Sequence, residues 1–454
     1  MEVTFTDPST SAATPKSYKF TPSATDRSIW FHRFKREDGS TGIIIMLVFV
    51  DDSLFAFHTR DQELLKNIKL SLLARFKGTS EDGCEGLLGI NITRNRERRT
   101  LKIDQADYIS TLAEKFEVTE TAPTPMHYAG LYHYPINGKQ TTSVDMRDYL
   151  SVVQACAWCQ HTVPEIAYAV GRLARFGQEP KSHHFQAALR LLGYLLGVRH
   201  RGITYSADSR PLASDPALRS DDLLVFTDAS LPEPGDKTLP NLNLEPKPTW
   251  DRPVSGLAVM YANAIVQGSA DVQATVKFST AGAEHDALSR ASNVGMEHRN
   301  MLLEFEGLEQ PPLLVMGSHN LQNALTPFSD RMPNLDGPAS WRSHLPKGGI
   351  ALIGDNMASL QELGGVGHGS RLKHLRLKAI YNAALAQQGH MIPFHLPTKK
   401  LVADIFTKGT LSGGEEDFKV QRGIITGTNK NWNLHDLRPI MTVADCRLSR
   451  KRKA

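Results

Sequence analysis

Asp51 and Asp52 are adjacent carboxylates directly behind an apolar run, Ile43–Val50. Two like charges at the end of a buried strand repel each other and lose water, so a nearby cation stabilises them; metal binding is the chemistry this pair can do. The plainer alternative is that Asp is a favoured turn residue between two strands. A second chemistry is phosphate binding. Arg94, Arg96, Arg98 and Arg99 crowd one predicted turn with Lys102 close by, and such a turn attracts phosphates through counterion release whatever the base sequence. A solvated basic loop explains the same cluster equally well. Cys156 and Cys159 make a C-x-x-C without a second pair, inside an apolar run, which favours core cysteines over half of a zinc site.

Those residues need elements to hold them. The chain has 454 residues, 41% hydrophobic and 22% charged, enough to bury real cores in roughly two to four domains of a soluble globular protein. Lys+Arg 52 against Asp+Glu 48 leaves +4, so any nucleic-acid surface must be local. Four cysteines in this length exclude a disulfide-stapled scaffold and predict a reducing, intracellular compartment, cytoplasm or nucleus. The apolar run Ile43–Val50 is far short of the roughly 18 residues of a bilayer span, and no signal peptide opens the chain, so no membrane is expected.

Along the chain, residues 1–27 are rich in Ser, Thr and Pro without hydrophobic periodicity and predict a disordered segment. Ile43–Val50 reads as a strand buried on both faces, with Leu54–Phe57 resuming after the Asp turn. Helices are predicted over Gln62–Phe76 and Asp107–Phe116, with strands at Gly86–Ile92 and Thr100–Ile103 between them. Asp148–Gly197 is helical, with Phe185, Leu189, Leu192 and Leu196 on one stripe. Strands return at Leu223–Thr227, Gly256–Tyr261 and Ala264–Gln267, a helix starts near Ser279 as N-cap, and strand Ile350–Gly354 runs into helix Asn356–Leu363. This alternation predicts an α/β domain, interrupted by Pro-, Gly- and Asn-rich loops at 231–253 and 309–349.

Phe49-Val50-Asp51-Asp52 resembles the Y/F-x-D-D box of reverse transcriptases, whose carboxylates hold magnesium for nucleotidyl transfer. Leu87-Leu88-Gly89-Ile90-Asn91-Ile92-Thr93-Arg94 is similar to the L-G-I-x-I-x-R segment of Ty1/copia retrotransposon polymerases, and Gln105-Ala106-Asp107-Tyr108 to their Q-x-x-Y. Thr124-Pro125-Met126 and the segments Asp148–Val153 and Pro164–Val170 follow in the same order. Co-linearity from about Phe20 to Gly409 makes the match specific where each short motif alone is weak.

The second half resembles the RNase H portion of that family. Val225-Phe226-Thr227-Asp228 is similar to its Y-S-D-A-D opening, Thr275–Ala291 places Glu284 on the family's catalytic glutamate, Asp355-Asn356 matches C-D-N, and Pro397–Lys408 matches P-T-E-E-Q-L-A-D-I-L-T-K with Asp404 in the fourth acidic position. Asp228, Glu284, Asp355 and Asp404 are therefore the expected catalytic and metal-binding set, with Mg2+ or Mn2+ as cofactor. Hydrolysing a phosphodiester needs an activated water and a stabilised leaving oxygen, which a divalent pair supplies while the protein contributes oxygen ligands. In this reading Asp228 bridges both ions, Glu284 and Asp355 hold one, and Asp404, in a helix opened by Thr398, completes the other. A solvated helix face or an N-cap explains any one carboxylate alone, and Asp355 ahead of a helix is a good cap. Ser370-Arg371-Leu372-Lys373-His374 is similar to the family's S-R-T-K-H, so Ser370, Arg371, Lys373 and His374 join Arg94, Arg96, Arg98 and Arg99 as expected nucleic-acid contacts.

Several positions depart from the family. The D-x-x-x-A-F-type aspartate and the fingers expected upstream of Asp51 are missing, which predicts loss of DNA synthesis unless another Pol chain supplies them. Gly268-Ser269-Ala270-Asp271 stands where S-S-K-K is usual, Val163 replaces Arg, Gly282 replaces Glu, and Arg376 stands for Asp. The expected architecture is α+β and α/β: a partial reverse-transcriptase palm and thumb (28–130), a helical connection (131–210), an RNase H-like mixed sheet with flanking helices (211–412), and a basic tail (413–454) whose Arg447–Lys453 is a disordered end or a nuclear-import signal. The expected activity is cleavage of RNA in RNA–DNA hybrids. The alternative is an inactive relic or domesticated module that binds nucleic acid without cutting.

Overall fold

The computed structural model describes residues 3–6, 17–126, 142–214, 217–231, 252–277, 279–307, 350–363, 376–387, 390–408 and 414–440. Its contacts divide the chain into two compact units, Met1–Glu85 with Glu297–Leu313, and Gly86–Met296 with Leu314–Ala454.

The first unit is a five-stranded antiparallel meander in chain order: β1 (Val3–Thr6), β2 (Ser17–Pro22), β3 (Ile29–Lys35), β4 (Thr41–Phe49) and β5 (Asp52–Phe57). Strands at Val3–Thr6 and Ser17–Pro22 correct the expectation of a disordered start. Tyr18 and Phe20 are the buried alternate positions of β2, and this period-2 signal is too short to stand out in a polar stretch. Helix α1 (Gln62–Arg75) sets Leu65 and Ile68 against Tyr18, Phe20, Ile44 and Met46. β4 is buried on one face only: Ile44 and Met46 are buried while Ile43, Ile45 and Leu47 are half-buried. The two-sided burial expected from its unbroken apolar run belongs to covered parallel sheets, whereas an antiparallel meander leaves one face open.

The second unit opens with a small antiparallel sheet, β6 (Gly86–Leu87), β7 (Ile90–Asn95), β8 (Thr100–Asp104) and, from far along the chain, β9 (Ile203–Ser206). Helices α2 (Ala106–Lys115), α3 (Met146–Trp158), α4 (Ala167–Ala174) and α5 (Ser182–Val198) pack together. The buried side of α5 is His184, Ala188, Leu191, Leu192, Tyr194, Leu195 and Val198, broader than the predicted stripe and rotated from it, because α5 meets neighbours on more than one side. Phe185, Leu189 and Leu196 are only partly buried. Cys156 and Cys159 lie inside this core, and burial drives both thiols up, Cys159 to about 12, as expected of inert core cysteines.

After a short hairpin of β10 (Pro211–Ser214) and β11 (Ala217–Arg219) comes the large sheet. It contains β12 (Leu223–Ser230), β13 (Val254–Tyr261), β14 (Ala264–Val272), β15 (Ile350–Gly354), β16 (Met391–His395) and β17 (Arg438–Pro439), in the order β14-β13-β12-β15-β16-β17. β12 pairs antiparallel with β13 and parallel with β15, and β15 pairs parallel with β16. Near-continuous burial of β12, β13 and β15 follows from coverage on both faces. Helix α6 (Thr280–Glu306) follows β14, with Ser279 Oγ accepting from the Gly282 N–H at 3.2 Å as an N-cap. Helices α7 (Met357–Leu363), α8 (Arg376–Gln387) and α9 (Gly414–Ile425) complete the described elements.

Candidate metal centre

Asp228 lies near the end of β12, and Asp355 directly follows β15, its parallel neighbour. The register pairs Phe226 with Ile353, so two residues further on both aspartates leave the same edge of the sheet. This is the carboxyl edge at the strand where connections diverge, where open sheets with parallel strands form crevices. Glu284 is the fifth residue of α6, and its helix turn packs Ala283 and Ala287 against Ala229 of β12. One oxygen each from Asp228, Glu284 and Asp355 falls within 4.8 Å of the others. Among the described residues no other group of three His, Cys, Asp or Glu side chains converges this way.

Asp404 joins the group through Asp228 and Lys408. It sits in a short 3-10 helix, Val402–Phe406, while Thr398 begins a separate one, Thr398–Lys400, so the single helix expected to open at Thr398 is split in two. Gly256, paired with Asp228 across β12 and β13, makes this approach possible. A Cβ on Gly256 would lie 2.5 Å from Thr407 Cγ2 and 2.8 Å from the Ala403 carbonyl oxygen. Glycine is therefore required for the turn to rest on the strand.

Electrostatics follow from this crowding. Asp228, Glu284 and Asp404 are 3%, 7% and 6% exposed, and Asp355 is half-buried. Burial first, then the charges of Asp228 and Asp355, push Glu284 up to about 9. Burial and the charge of Asp228 push Asp404 up to about 7, against the pull of Lys408. Asp355 is also raised, by burial chiefly, although Thr398 Oγ1 donates to its Oδ2 at 2.6 Å. Asp286, two residues past Glu284, is different: its lysine partners Lys277 and Lys378, at 2.5 and 2.9 Å, outweigh burial and hold it low. Excess negative charge on hard oxygen donors is what a divalent cation relieves, and the donor set fits Mg2+ or Mn2+.

Two residues of the site, Thr407 and Lys408, carry little signal in the sequence. Thr407 Oγ1 donates to Asp228 Oδ2, and Lys408 Nζ lies 2.8 Å from Asp404 Oδ2 and 3.8 Å from Asp228 Oδ2. The available signal was the spacing, a lysine four residues after an aspartate. The cap ahead of α7 is Asn356, whose Oδ1 accepts from the Ser359 N–H at 3.1 Å, so Asp355 is not spent as a cap.

The remaining predicted residues lie elsewhere. Val50 and Asp51 form the two-residue connection of the β4–β5 hairpin, and Phe49 pairs with Asp52. Asp51 and Asp52 are exposed, Val50 is 84% exposed, and no third potential ligand joins them among the described residues. Val50 has φ 54, a left-handed conformation costing a β-branched residue roughly 1–2 kcal/mol. Arg94, Arg96, Arg98 and Arg99 are all exposed on the β7–β8 hairpin. At the lysine-poor stretch of β14, Asp271 pairs with Arg290 at 2.5 Å. Ser370, Arg371, Lys373 and His374 lie outside the described residues, as do 231–253 and 309–349 for the most part and the tail from 441. Among the described residues no helix is long and apolar enough to cross a membrane.

Residues 10–128 match the family profile of reverse transcriptase (RNA-dependent DNA polymerase). Over 308 residues, 66% of this chain, it is 25% identical to a retrovirus-related Pol polyprotein from transposon TNT 1-94 of Nicotiana tabacum. The chain is similar to Ty1/copia-type retrotransposon Pol polyproteins. A retrovirus-related Pol polyprotein from transposon RE1 of Arabidopsis thaliana is 32% identical over 166 residues, 36% of this chain and 11% of that protein. A transposon Ty5-1 protein of Saccharomyces cerevisiae is 28% identical over 201 residues, 41% of this chain and 61% of that protein. The match to the tobacco Pol polyprotein spans 21% of that protein. No solved structure matches the chain. The reverse-transcriptase match ends at residue 128, ahead of every member of the carboxylate cluster, and contains the exposed Asp51–Asp52 turn.

Proposed function

We propose that this chain carries an RNase H-type nuclease site, hydrolysing RNA in RNA–DNA hybrids with Mg2+ or Mn2+ at Asp228, Glu284, Asp355 and Asp404. The observation that carries the reading is the convergence of Asp228, Glu284 and Asp355 oxygens within 4.8 Å at the carboxyl edge of a mixed sheet. The six-stranded sheet, three antiparallel strands continued by two parallel ones and a short antiparallel edge strand, with α6 packed against β12, supports an RNase H-like reading.

When bound, a divalent cation supplies Lewis acidity toward the scissile phosphodiester. The protein side of the reaction is positioning. Asp228 interacts both with Glu284 and Asp355 and with Asp404, and accepts from Thr407. Thr398 orients Asp355, and the rigid register of β12 and β15 keeps both aspartates on one edge. Glu284, pushed up to about 9 by burial and by Asp228 and Asp355, would serve as an oxygen ligand to the cation. The exposed arginines of the β7–β8 hairpin are a sequence-independent grip on phosphates. Nucleotidyl transfer at Asp51 and Asp52 is not part of the proposal, since two metal ions need carboxylates from more than one strand and this turn supplies one locus.

The test is cleavage of an RNA–DNA hybrid with Mg2+, comparing the parent with Asp355→Asn. Slow cleavage in the parent and none in the variant is expected. Equal signal from both, or none from either, overturns the proposal.

A further inference from the structure

The sheet edge that carries the acidic cluster has two flanks of different charge. On the β14 flank, the register sets Ala270 in line with Asp228 and Asp271 in line with Ala229, through Gly256 and Ser255 of β13. These are the positions where the resembled S-S-K-K stretch has its lysines, and Asp271 is held by Arg290 at 2.5 Å. On the β16 flank, Gly354 pairs with His395, and the Leu396 N–H donates to the Gly354 carbonyl oxygen at 2.9 Å, one residue before Asp355. The chain then turns through Thr398–Lys400, where Thr398 Oγ1 donates to Asp355 Oδ2 at 2.6 Å. Lys399 and Lys400 thus directly follow a residue that touches the cluster, and they stand where the resembled P-T-E-E-Q segment has glutamates. Leu396 and Leu401, both fully buried, anchor the turn on either side.

Several lysines around this edge are already paired: Lys277 and Lys378 with Asp286, Lys408 with Asp404, and Lys400 with Asp436. Lys399 is exposed and has no ion pair among the described residues. We propose that Lys399 is the phosphate grip of this site, binding a backbone phosphate of the hybrid on the β16 flank and so seating the strand against Asp355. The proposal rests on the nuclease reading above and deepens it by naming the side chain that positions the substrate. A cluster of carboxylates repels a polyanion, so the strand needs a cation beside the cluster that no acid of the protein already holds. Lysine suits a backbone contact, because a compact charge on a flexible stem meets a phosphate oxygen from many angles and reads no base. Lys400, next in the chain but held by Asp436, supplies the comparison.

The experiment is fluorescence anisotropy of a labelled RNA–DNA hybrid with the full chain across a salt series, in EDTA so that nothing is cut, followed by cleavage kinetics in Mg2+. Lys399→Gln should lower the slope of log affinity against log salt by about 1. It should also weaken binding by up to about fivefold, the ceiling for an exposed ion pair. Lys399→Arg, which keeps the charge, should restore both, and Lys400→Gln should cost less than half as much. In Mg2+ the loss in Lys399→Gln should fall on KM rather than kcat. An unchanged slope in Lys399→Gln, or equal losses from Lys399→Gln and Lys400→Gln, overturns the proposal while cleavage by the parent keeps the nuclease reading standing. A parent that binds the hybrid without cutting it in Mg2+ removes the nuclease reading and the proposal with it.

Discussion

Two acidic loci in this chain use the same side chains to opposite effect. Asp51 and Asp52 are neighbours in sequence at the tip of one hairpin, exposed to water and joined by no third ligand among the described residues. Asp228, Glu284 and Asp355 come from segments separated by more than fifty residues, yet their oxygens meet within 4.8 Å. Proximity along the chain makes a poor cage, because adjacent residues on a strand point to opposite faces. Parallel neighbouring strands and a packed helix instead aim distant side chains at one point. Burial then concentrates the charge, raising Glu284 to about 9 and Asp404 to about 7.

The sharpest way to break this comparison is to neutralise each locus in turn. Asp355→Asn should lower hybrid cleavage by on the order of 100-fold or more, at or beyond the loss typical of outer-shell partners of a metal. Asp51→Asn with Asp52→Asn should leave cleavage unchanged and stability within about 0.5 kcal/mol. A large loss from the hairpin variant would reverse the assignment of the two loci.

A smaller effect tests whether strand geometry builds the second locus. Gly256→Ala should cost about 1–3 kcal/mol through overpacking against Thr407 and Ala403, measured by denaturant unfolding, and should reduce cleavage by displacing Asp404. Unchanged stability would show that the turn can move without consequence.

Smaller again is the pH response. Glu284 and Asp404 are raised above their ordinary values of 4.5 and 3.8, so their contribution to stability is fully present below about pH 4 and is lost as pH rises through about 7 and then 9. Without metal, the melting temperature should therefore fall more between pH 7 and 9 in the parent than in Glu284→Gln, and saturating Mg2+ should flatten the parent's decline. Equal slopes in the two proteins would mean that Glu284 does not carry the charge excess.

The mildest perturbation concerns the grip rather than the site. Arg96→Gln with Arg98→Gln should weaken hybrid binding and lower the slope of log affinity against log salt by up to about 2, measured by fluorescence anisotropy. An unchanged slope would return the hairpin to the solvated-loop reading.

Much of the second unit was legible from residue order. Strands at 223–227, 256–261 and 350–354 and the helix start at Ser279 emerge within a few residues because buried strands and a serine cap leave strong local signals. The first two strands leave little local signal, since Tyr18 and Phe20 alone mark β2 in a polar stretch. Likewise, the pattern around Asp355 fits a helix cap, but the neighbouring Asn356 fills that role. Lys408 sits in a segment matched to the family, but nothing local says whether a lysine after Asp404 faces water or the acids.

Residue types and their spacing by themselves determined the resemblance to retrotransposon Pol proteins, the alternation of strands and helices, and which carboxylates to watch. Only the tertiary structure decided which of them meet. Convergence depends on the parallel register of β12 with β15, on the seat that Gly256 leaves for the Asp404 turn, and on where Lys408 comes to rest. Each is a long-range relation between segments, and pattern within a segment carries no trace of it.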